Sequence, residues 1–369
     1  MGSIATQTHA NSANNYRVLA SFCGKDSSAE TNMNMSNWIE SYNPSNNTWH
    51  RISSIPGLIE NHTLKDFAMV SIGDSVYIIG GRLCHKEVSH EADENMEVQL
   101  EVLPSVLRYD VRTNVWSKCA PLMLPRFDFA CTTLENKIYV AGGRYSLESA
   151  RGTSSAEVYD PALDQWKPLP GMTTMRYKCV GVTWQGKIHV VGGFVGGGDM
   201  IGSPGPYIME RSSAEVFDTV TAKWDFVPRM WELDVPPNQI VAINERLFSS
   251  GDCFKAWKGH IEVFDGKLNM WSEVHGSNSY NLSGSPIATT DTSGDDWPPM
   301  QRLYLTMAPI DNHLYFIVGY RMPGEVPKTS SKVHVFNTLV NGDGWKSFAP
   351  LEEEGEKELC GHCCVLKQV

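Results

Sequence analysis

A repeated pattern constrains this sequence more than any other feature. In six places an aromatic residue is followed directly by Asp or Asn, then by a turn and a tryptophan. Repetition at a fixed spacing is typical of architectures that stack one supersecondary unit many times. The pattern therefore predicts six units, marked by Tyr42–Trp49, Tyr109–Trp116, Tyr159–Trp166, Phe217–Trp224, Phe264–Trp271 and Phe336–Trp345.

A β-rich run that ends on glycine precedes most of these segments. The clearest runs, Val76–Gly81, Ile138–Gly143 and Ile188–Gly193, each end on two glycines, and weaker ones occupy Leu247–Gly251 and Leu314–Gly319. Alternating apolar residues, frequent Gly and Pro, and no long stretch with a 3.6-residue period favour strands. Each unit is predicted to have four strands, a to d, with the glycines ending strand b and the tryptophan beginning strand d. The sequence thus predicts an all-β domain.

The doubled glycine, the aromatic residue and the spaced tryptophan resemble the kelch repeat, over about residues 16–369. The pattern is weaker in units one, five and six, where Phe22–Cys23, Gly251–Asp252 and Val318–Gly319 replace the glycine pair. The resemblance implies a six-bladed kelch β-propeller after an N-terminal tail of residues 1–15. The expected blades are residues 16–55 with 359–369, 64–121, 126–170, 176–228, 236–274 and 302–350.

The first unit lacks its own strand a, because Tyr16–Cys23 already has the character of strand b. A segment with strand-a character, Leu359–Leu366, instead follows the last tryptophan unit. We therefore expect the C-terminal strand to close the ring beside the N-terminal strands.

Charge and cysteine content restrict the functional classes. The chain has 31 Lys and Arg against 42 Asp and Glu, a net charge of −11, which argues against a nucleic-acid binder with a basic face. No apolar run reaches the roughly 20 residues needed to cross a bilayer. Nine scattered cysteines favour free thiols in a reducing compartment. We expect a monomer in the cytoplasm or nucleus that binds neither nucleic acid nor membrane.

Three long insertions fall in b–c or d–a connections, at Leu83–Pro104, Phe194–Glu210 and Gly276–Met300. These connections share one face of a meander, here named the channel face. Arginines are expected to ring a central channel on this face and to bind carboxylate or phosphate groups. Kelch adaptor proteins hold acidic peptides with arginines in this region, whereas the alternative is that these side chains pack on loop carbonyls. The candidates are Arg82, Arg126, Arg144, Arg176, Arg302 and Arg321.

Two functions remain open. One is a binding module, or regulatory adaptor, that recognises a protein or acidic peptide through the channel face. Many plant-type kelch chains carry an F-box that recruits a ubiquitin ligase, but the short segment before the first strand leads us to expect none here. The other is a small-molecule enzyme, an isomerase or lyase, because specifier proteins and sialic-acid mutarotases are also kelch propellers. Its acid–base candidates are Asp128, Tyr177, Lys178 and Tyr304.

Metal binding is considered at the C-terminal end. Glu354, Glu358 and His362 have a spacing similar to the Glu, Asp and His with which specifier proteins are thought to hold ferrous iron. The alternative is a solvated acidic loop, and we expect no other cofactor. If Cys360 and Cys363 lie on a strand, they face opposite sides of the sheet, so packed free thiols are predicted. Four glutamates recur three residues before the Asp or Asn of their units and are assigned to the scaffold: Glu40, Glu157, Glu215 and Glu262.

Overall fold

A computed structural model describes residues 15–24, 36–59, 61–86, 97–195, 208–279, 282, 301–322, 324, 328–340 and 344–367. Most of the expected N-terminal tail and parts of the three insertions (87–96, 196–207, 280–281 and 283–300) lie outside these residues. Regular structure in the described part consists of β-strands and one four-residue helix, α1 (Ile208–Arg211). None of its helices has the length and apolar character required to cross a bilayer.

Six antiparallel sheets of four or five strands account for most of the described residues. Sheet 1 contains β1 (Tyr16–Gly24), β2 (Trp38–Asn43), β3 (Thr48–Ser54) and β30 (Lys357–Lys367). Sheet 2 contains β5 (Ala68–Ile72), β6 (Ser75–Ile79), β9 (Val106–Asp110) and β10 (Val115–Cys119). Sheet 3 contains β11 (Ala130–Leu134), β12 (Lys137–Ala141), β13 (Ala156–Asp160) and β14 (Gln165–Leu169).

The second half of the chain repeats this plan. Sheet 4 contains β16 (Val180–Trp184), β17 (Lys187–Val191), β19 (Ala214–Asp218) and β20 (Lys223–Val227). Sheet 5 contains β21 (Ile240–Ile243), β22 (Arg246–Ser249), β23 (Glu262–Asp265) and β24 (Met270–Glu273). Sheet 6 contains β25 (Arg302–Ile310), β26 (His313–Met322), β27 (Lys328–Asn337), β28 (Trp345–Ser347) and β29 (Leu351–Glu354).

Two smaller sheets form in the connections between strands of the six large sheets. Both lie at the end of the large sheets where the innermost strands begin. One is built from β4 (His62–Lys65), β7 (Arg82–Lys86) and β8 (Glu97–Val102). The other pairs β15 (Arg176–Tyr177) with β18 (Phe194–Val195). They place Arg82 and Tyr177 near the inner strands.

The recurring aromatic and tryptophan residues face each other across strands c and d of one sheet. In sheet 3, Tyr159 lies opposite Trp166, with ring centroids 5.0 Å apart. The corresponding distance is 4.9 Å for Tyr109 and Trp116 in sheet 2. Paired aromatic rings bury large apolar areas, which explains why each unit needs both residues.

The doubled glycines join one sheet to the next. Gly80 and Gly81 both have positive φ, 61° and 98°, and the Gly81 amide donates to the Arg126 carbonyl at 2.8 Å. A Cβ atom on Gly80 would lie only 2.5 Å from that carbonyl oxygen. A side chain at this position would therefore separate sheets 2 and 3.

The innermost strands of the six sheets contact one another in sequence. Neighbouring pairs are β30 and β5, β5 and β11, β11 and β16, β16 and β21, β21 and β25, and β25 and β30. These strands line a cavity of about 800 Å³, here named the central cavity. The strand predicted over Leu359–Leu366 is confirmed, since β30 covers it and pairs antiparallel with β1.

Candidate binding site at the mouth of the central cavity

Three residues at equivalent positions surround one side of the cavity opening. Asp66, Asp128 and Lys178 each lie two residues before the inner strand of sheet 2, 3 or 4. All three have left-handed backbones, with φ values of 54°, 54° and 56°. The Asp128 amide donates to the Asp66 carbonyl at 3.2 Å, and the Lys178 amide donates to the Asp128 carbonyl at 2.6 Å. This chain of hydrogen bonds makes the three residues neighbours.

Two arginines complete this group. The Arg82 guanidinium is bound to the Asp66 carboxylate and lies 5.7 Å from the Phe127 ring. The Arg144 guanidinium lies 5.1 Å from the same ring. Cation–π contacts of this kind fix the side chain and keep its charge. Asp66, Arg82, Asp128, Arg144 and Lys178 are together named the mouth cluster.

Arg144 and Lys178 keep donors available for a ligand. Arg144 uses Nε and Nη2 for the carbonyls of Ser149 and Leu147, at 2.8 and 3.1 Å, and its Nη1 has no hydrogen-bond partner in the described part of the chain. Lys178 is exposed and forms no ion pair with any described residue. Since Arg82 and Asp66 neutralise each other, these two cations dominate the cluster.

Asp128 is the remaining charged group of the cluster. Burial, followed by the neighbouring Asp66 carboxylate, raises the pKa of Asp128 to about 7, and Lys178, Arg82 and Arg144 oppose this rise. The neutral, protonated form of Asp128 is therefore favoured more than in an ordinary exposed carboxyl group. The net charge of the mouth cluster is positive.

The expectation that Arg126 and Arg176 line this opening is wrong, because neither side chain is exposed at all. Arg126 donates to the Gly142 carbonyl at 2.7 Å and binds the Glu157 carboxylate. Arg176 donates to the Gly192 carbonyl at 2.9 Å and lies 3.5 Å from the Glu215 carboxylate. Their guanidinium groups are used inside sheets 3 and 4, as in the alternative in which such arginines pack on loop carbonyls.

Three other candidates lie away from the mouth cluster. Arg302 donates to the Leu282 carbonyl at 3.0 Å, and Arg321 binds the Glu356 carboxylate at 2.7 Å. The Tyr304 hydroxyl is buried and 2.7 Å from the Ser331 hydroxyl, and burial raises the pKa of Tyr304 to about 12. Such a phenol is a poor acid–base group at neutral pH. Of the acid–base candidates, the structure brings together Asp128, Lys178 and Tyr177, whose ring is 5.5 Å from Arg144.

The predicted iron site is wrong. Glu354 ends β29, whereas Glu358 and His362 lie on β30, so the three side chains come from two strands. Glu358 binds Lys65 at 2.9 Å, and four residues of a strand span about 13 Å. Among the described residues, no group of three His, Cys, Asp or Glu side chains is placed to hold a metal ion.

Comparison with known proteins agrees with the repeated pattern. The Kelch motif family matches residues 125–173, which contain Arg126, Asp128 and Arg144. The F-box/kelch-repeat protein At1g16250 of Arabidopsis thaliana is 30% identical over 259 residues, covering 69% of this chain and 62% of the relative. This chain is a kelch-repeat protein.

Other relatives of this kelch-repeat protein match over smaller shares of both chains. The F-box/kelch-repeat protein OR23 of Arabidopsis thaliana is 29% identical over 261 residues, covering 62% of the chain and 55% of the relative. Kelch repeat and BTB domain-containing protein 12 of Danio rerio is 28% identical over 133 residues, covering 34% of the chain and 20% of the relative. The chain thus spans less than two thirds of the length of At1g16250 and OR23.

Sequence reasoning missed Asp66 in this kelch-repeat protein. The signal was present, because Asp66 precedes its inner strand by the same two residues as Asp128 and Lys178. In chemical terms, the mouth cluster can donate hydrogen bonds from Arg144 and Lys178 to an anionic group. It can also exchange a proton at Asp128 near neutral pH.

Proposed function

We propose that this kelch-repeat protein is a binding module that holds an acidic segment of a partner protein at the mouth cluster. In this proposal the six sheets are the blades of a six-bladed propeller closed by β30, with the blade boundaries expected from the sequence. The contacts between successive inner strands and the pairing of β1 with β30 support that architecture.

The presence of unneutralised cations carries the proposal. Arg144 and Lys178 retain free donors at the cavity opening, although the whole chain has a net charge of −11. A positive site on an acidic protein favours an anionic ligand and disfavours cationic competitors. Carboxylates suit both a guanidinium and an ammonium group, and such charge-assisted hydrogen bonds are the strong ones.

Exposed apolar side chains on the same face favour a protein over a small molecule. Met123, Tyr145, Met175 and Phe254 lie in b–c or d–a connections and are 61%, 47%, 48% and 66% exposed. Large apolar and aromatic residues are typical of the centre of a protein interface. A small molecule inside the cavity would leave them in water.

One observation favours the second candidate, a small-molecule isomerase or lyase. Asp128 has a pKa of about 7 and lines a cavity of about 800 Å³, which is large enough for a small organic ligand. A carboxyl group with such a pKa can donate or accept a proton at neutral pH. Conversion of an organic acid by the purified protein, abolished in Asp128→Asn while binding of that acid persists, would favour this function.

The kelch-repeat relatives carry F-box or BTB in their names, and we propose that this chain supplies the partner-recognition part of a regulatory adaptor in the cytoplasm or nucleus. A fluorescent fusion of the full chain would test the location. Partner recognition itself is tested with purified protein.

The binding test selects random peptides displayed on phage against the full chain. We expect enrichment of peptides with several Asp or Glu residues. The double variant Arg144→Ala/Lys178→Ala should weaken binding of a selected peptide about a hundredfold, because two charge-assisted hydrogen bonds of about 1.5 kcal/mol are lost. Asp128→Asn should strengthen binding of the same peptide, since it removes a carboxylate that repels the acidic side chains of the peptide.

The matched control is Arg112→Ala/Lys223→Ala, which removes two exposed cations away from the mouth cluster, one in the c–d turn of sheet 2 and one at the start of β20. It should leave the affinity within about twofold, because exposed charges far from the ligand are screened. Enrichment of peptides without acidic residues, or equal loss in both double variants, would contradict binding at the mouth cluster.

A further inference from the structure

Two cysteines meet between the strands that join the two ends of the described chain. Cys23 lies on β1 and Cys360 on β30, with exposed fractions of 0% and 6%. The two thiols share a hydrogen bond and belong to the same apolar cluster as Leu64 and Phe67. Their sulfur atoms are thus neighbours.

The register of β1 and β30 explains how they meet. Ser21 lies opposite Gly361, whereas the next residue, Phe22, lies opposite Leu359, so Cys360 is the extra residue of a β-bulge. Cys23 lies opposite Glu358, and Cys360 is two residues further along β30, so Cys360 and Cys23 lie on the same face of sheet 1. Both therefore pack in the apolar cluster on that face.

We propose that Cys23 and Cys360 are an oxidative modification site, at which hydrogen peroxide forms a disulfide that links β1 covalently to β30. The pair is asymmetric, because Cys360 lines the central cavity and Cys23 does not. Peroxide can therefore reach Cys360 through the cavity while Cys23 stays enclosed by protein. This site is independent of partner binding at the mouth cluster.

The reaction has two balanced steps. The Cys360 thiol gives up its proton and its sulfur attacks peroxide, breaking the O–O bond and forming a sulfenic acid and one water. The Cys23 thiol then loses its proton, its sulfur attacks the Cys360 sulfur, and the second water leaves as the S–S bond forms. Two thiols are oxidised by two electrons, and one peroxide is reduced to two waters.

The surroundings of Cys360 determine how fast its thiol is oxidised. Burial, followed by the neighbouring Cys23 thiol, raises the pKa of Cys360 well above its ordinary value. Because the thiolate is the nucleophile, oxidation at neutral pH is slow and accelerates about tenfold for each pH unit below that pKa. The site therefore forms a covalent cross-link slowly and does not respond quickly to peroxide.

The test uses the reduced full-length protein treated with hydrogen peroxide at pH 7 and pH 9. We expect the mass to fall by two hydrogen atoms, faster at pH 9, and a peptide map to contain one linked pair holding Cys23 and Cys360. The oxidised protein should also melt at a higher temperature, because the cross-link restricts the unfolded chain over more than 300 residues.

Two variants separate the roles of the thiols. Cys23→Ser should stop at a sulfenic acid on Cys360 that dimedone traps, and Cys360→Ser should give no linkage. Cys253→Ser is the matched control, because Cys253 also lines the cavity, and it should form the linkage normally.

A different disulfide, such as one involving Cys363 or Cys364, or oxidation that leaves Cys23 reduced in the wild-type protein, would overturn the proposal. If a serine variant fails to fold, the peptide map of the wild-type protein still decides between these outcomes.

Discussion

Sheets 3 and 1 each bury a glutamate at the same repeated position but neutralise it differently. In sheet 3, Glu157 binds Arg126, only 31 residues away in sequence, and accepts the Met123 amide at 2.8 Å. In sheet 1, Glu40 binds Lys357 at 2.8 Å, and these residues are 317 positions apart. Sheet 3 is therefore locally complete, whereas sheet 1 depends on β30 for the neutralising charge.

In sheets 4 and 5 the glutamate at this repeated position is also paired with a cation, but the cation differs in type and in sequence distance. Sheet 4 repeats the arginine arrangement with Arg176 and Glu215. In sheet 5, Glu262 binds Lys258, four residues earlier, at 3.0 Å. Leu107 in sheet 2 and His334 in sheet 6 replace the carboxylate altogether. Each sheet therefore balances the charge at this repeated position with its own residues.

Removing β30 should have the largest effect, because sheet 1 depends on it for both pairing and charge. A chain ending at Glu356 leaves Glu40 without Lys357 and exposes the β1 edge, because β30 is the inner strand of sheet 1. We expect loss of cooperative unfolding, monitored by circular dichroism during heating. A chain ending at Lys367 is the control and should unfold like the wild type. A stable, cooperatively folded product from the shorter chain would contradict the dependence of sheet 1 on β30.

Removing one cation from each sheet should give a smaller but measurable effect. Arg126→Met and Lys357→Met should each lower the free energy of unfolding by about 3–5 kcal/mol, since each leaves a buried carboxylate without its cation. Urea denaturation measures both. Arg112→Met, at an exposed ion pair, should cost less than about 1 kcal/mol. A large loss for Arg126→Met with none for Lys357→Met would show that sheet 1 has another source of compensation.

The histidine in sheet 6 makes stability depend on pH at the same repeated position. Burial, followed by nearby Lys332, lowers the pKa of His334 from 6.5 to about 4, and its Nε2 has no hydrogen-bond partner among the described residues. Between these values the unfolded chain binds a proton that the folded protein rejects. Stability should therefore be complete above about pH 6.5 and fall toward pH 4, by up to about 3 kcal/mol from this residue.

Urea denaturation of wild type and His334→Gln across this pH range isolates that contribution. The difference in unfolding free energy between the two proteins should change with pH, while exposed His50→Gln should follow the wild type. Parallel curves for wild type and His334→Gln would mean that His334 is protonated equally in the folded and unfolded states.

The repeated parts of the fold could be predicted because one local pattern determines them. The runs ending at Gly81, Gly143 and Gly193 correspond to β6, β12 and β17, and the aromatic–tryptophan pairs form as the spacing indicates. The scaffold role of Glu157 and Glu215 also followed from their recurrence. Each of these inferences needs only residues within one unit.

The candidate site was less predictable, because the sequence does not reveal burial. In the sequence, Arg126 precedes the inner strand of its unit and Arg144 follows the glycine pair of the same unit, so both are cations at the same end of their strands. In the structure Arg126 is enclosed with Glu157, whereas Arg144 stacks on Phe127 at the opening. The metal prediction failed for a related reason. The spacing of Glu354, Glu358 and His362 brings side chains together on a helix, but the chain there forms two strands.

The pairing of β1 with β30 has a consequence for synthesis on the ribosome. More than 300 residues separate Gly24 from Lys357, so at bacterial or eukaryotic elongation rates β1 waits some tens of seconds, roughly 15–70 s, for its partner. Sheets 3 and 4 can assemble as soon as their own residues emerge. During the interval sheet 1 presents the unpaired edge of β1, and exposed strand edges are surfaces that chaperones and aggregating chains recognise. Among the described strands, β1 leaves the ribosome first and is thus among the last to complete its hydrogen bonds.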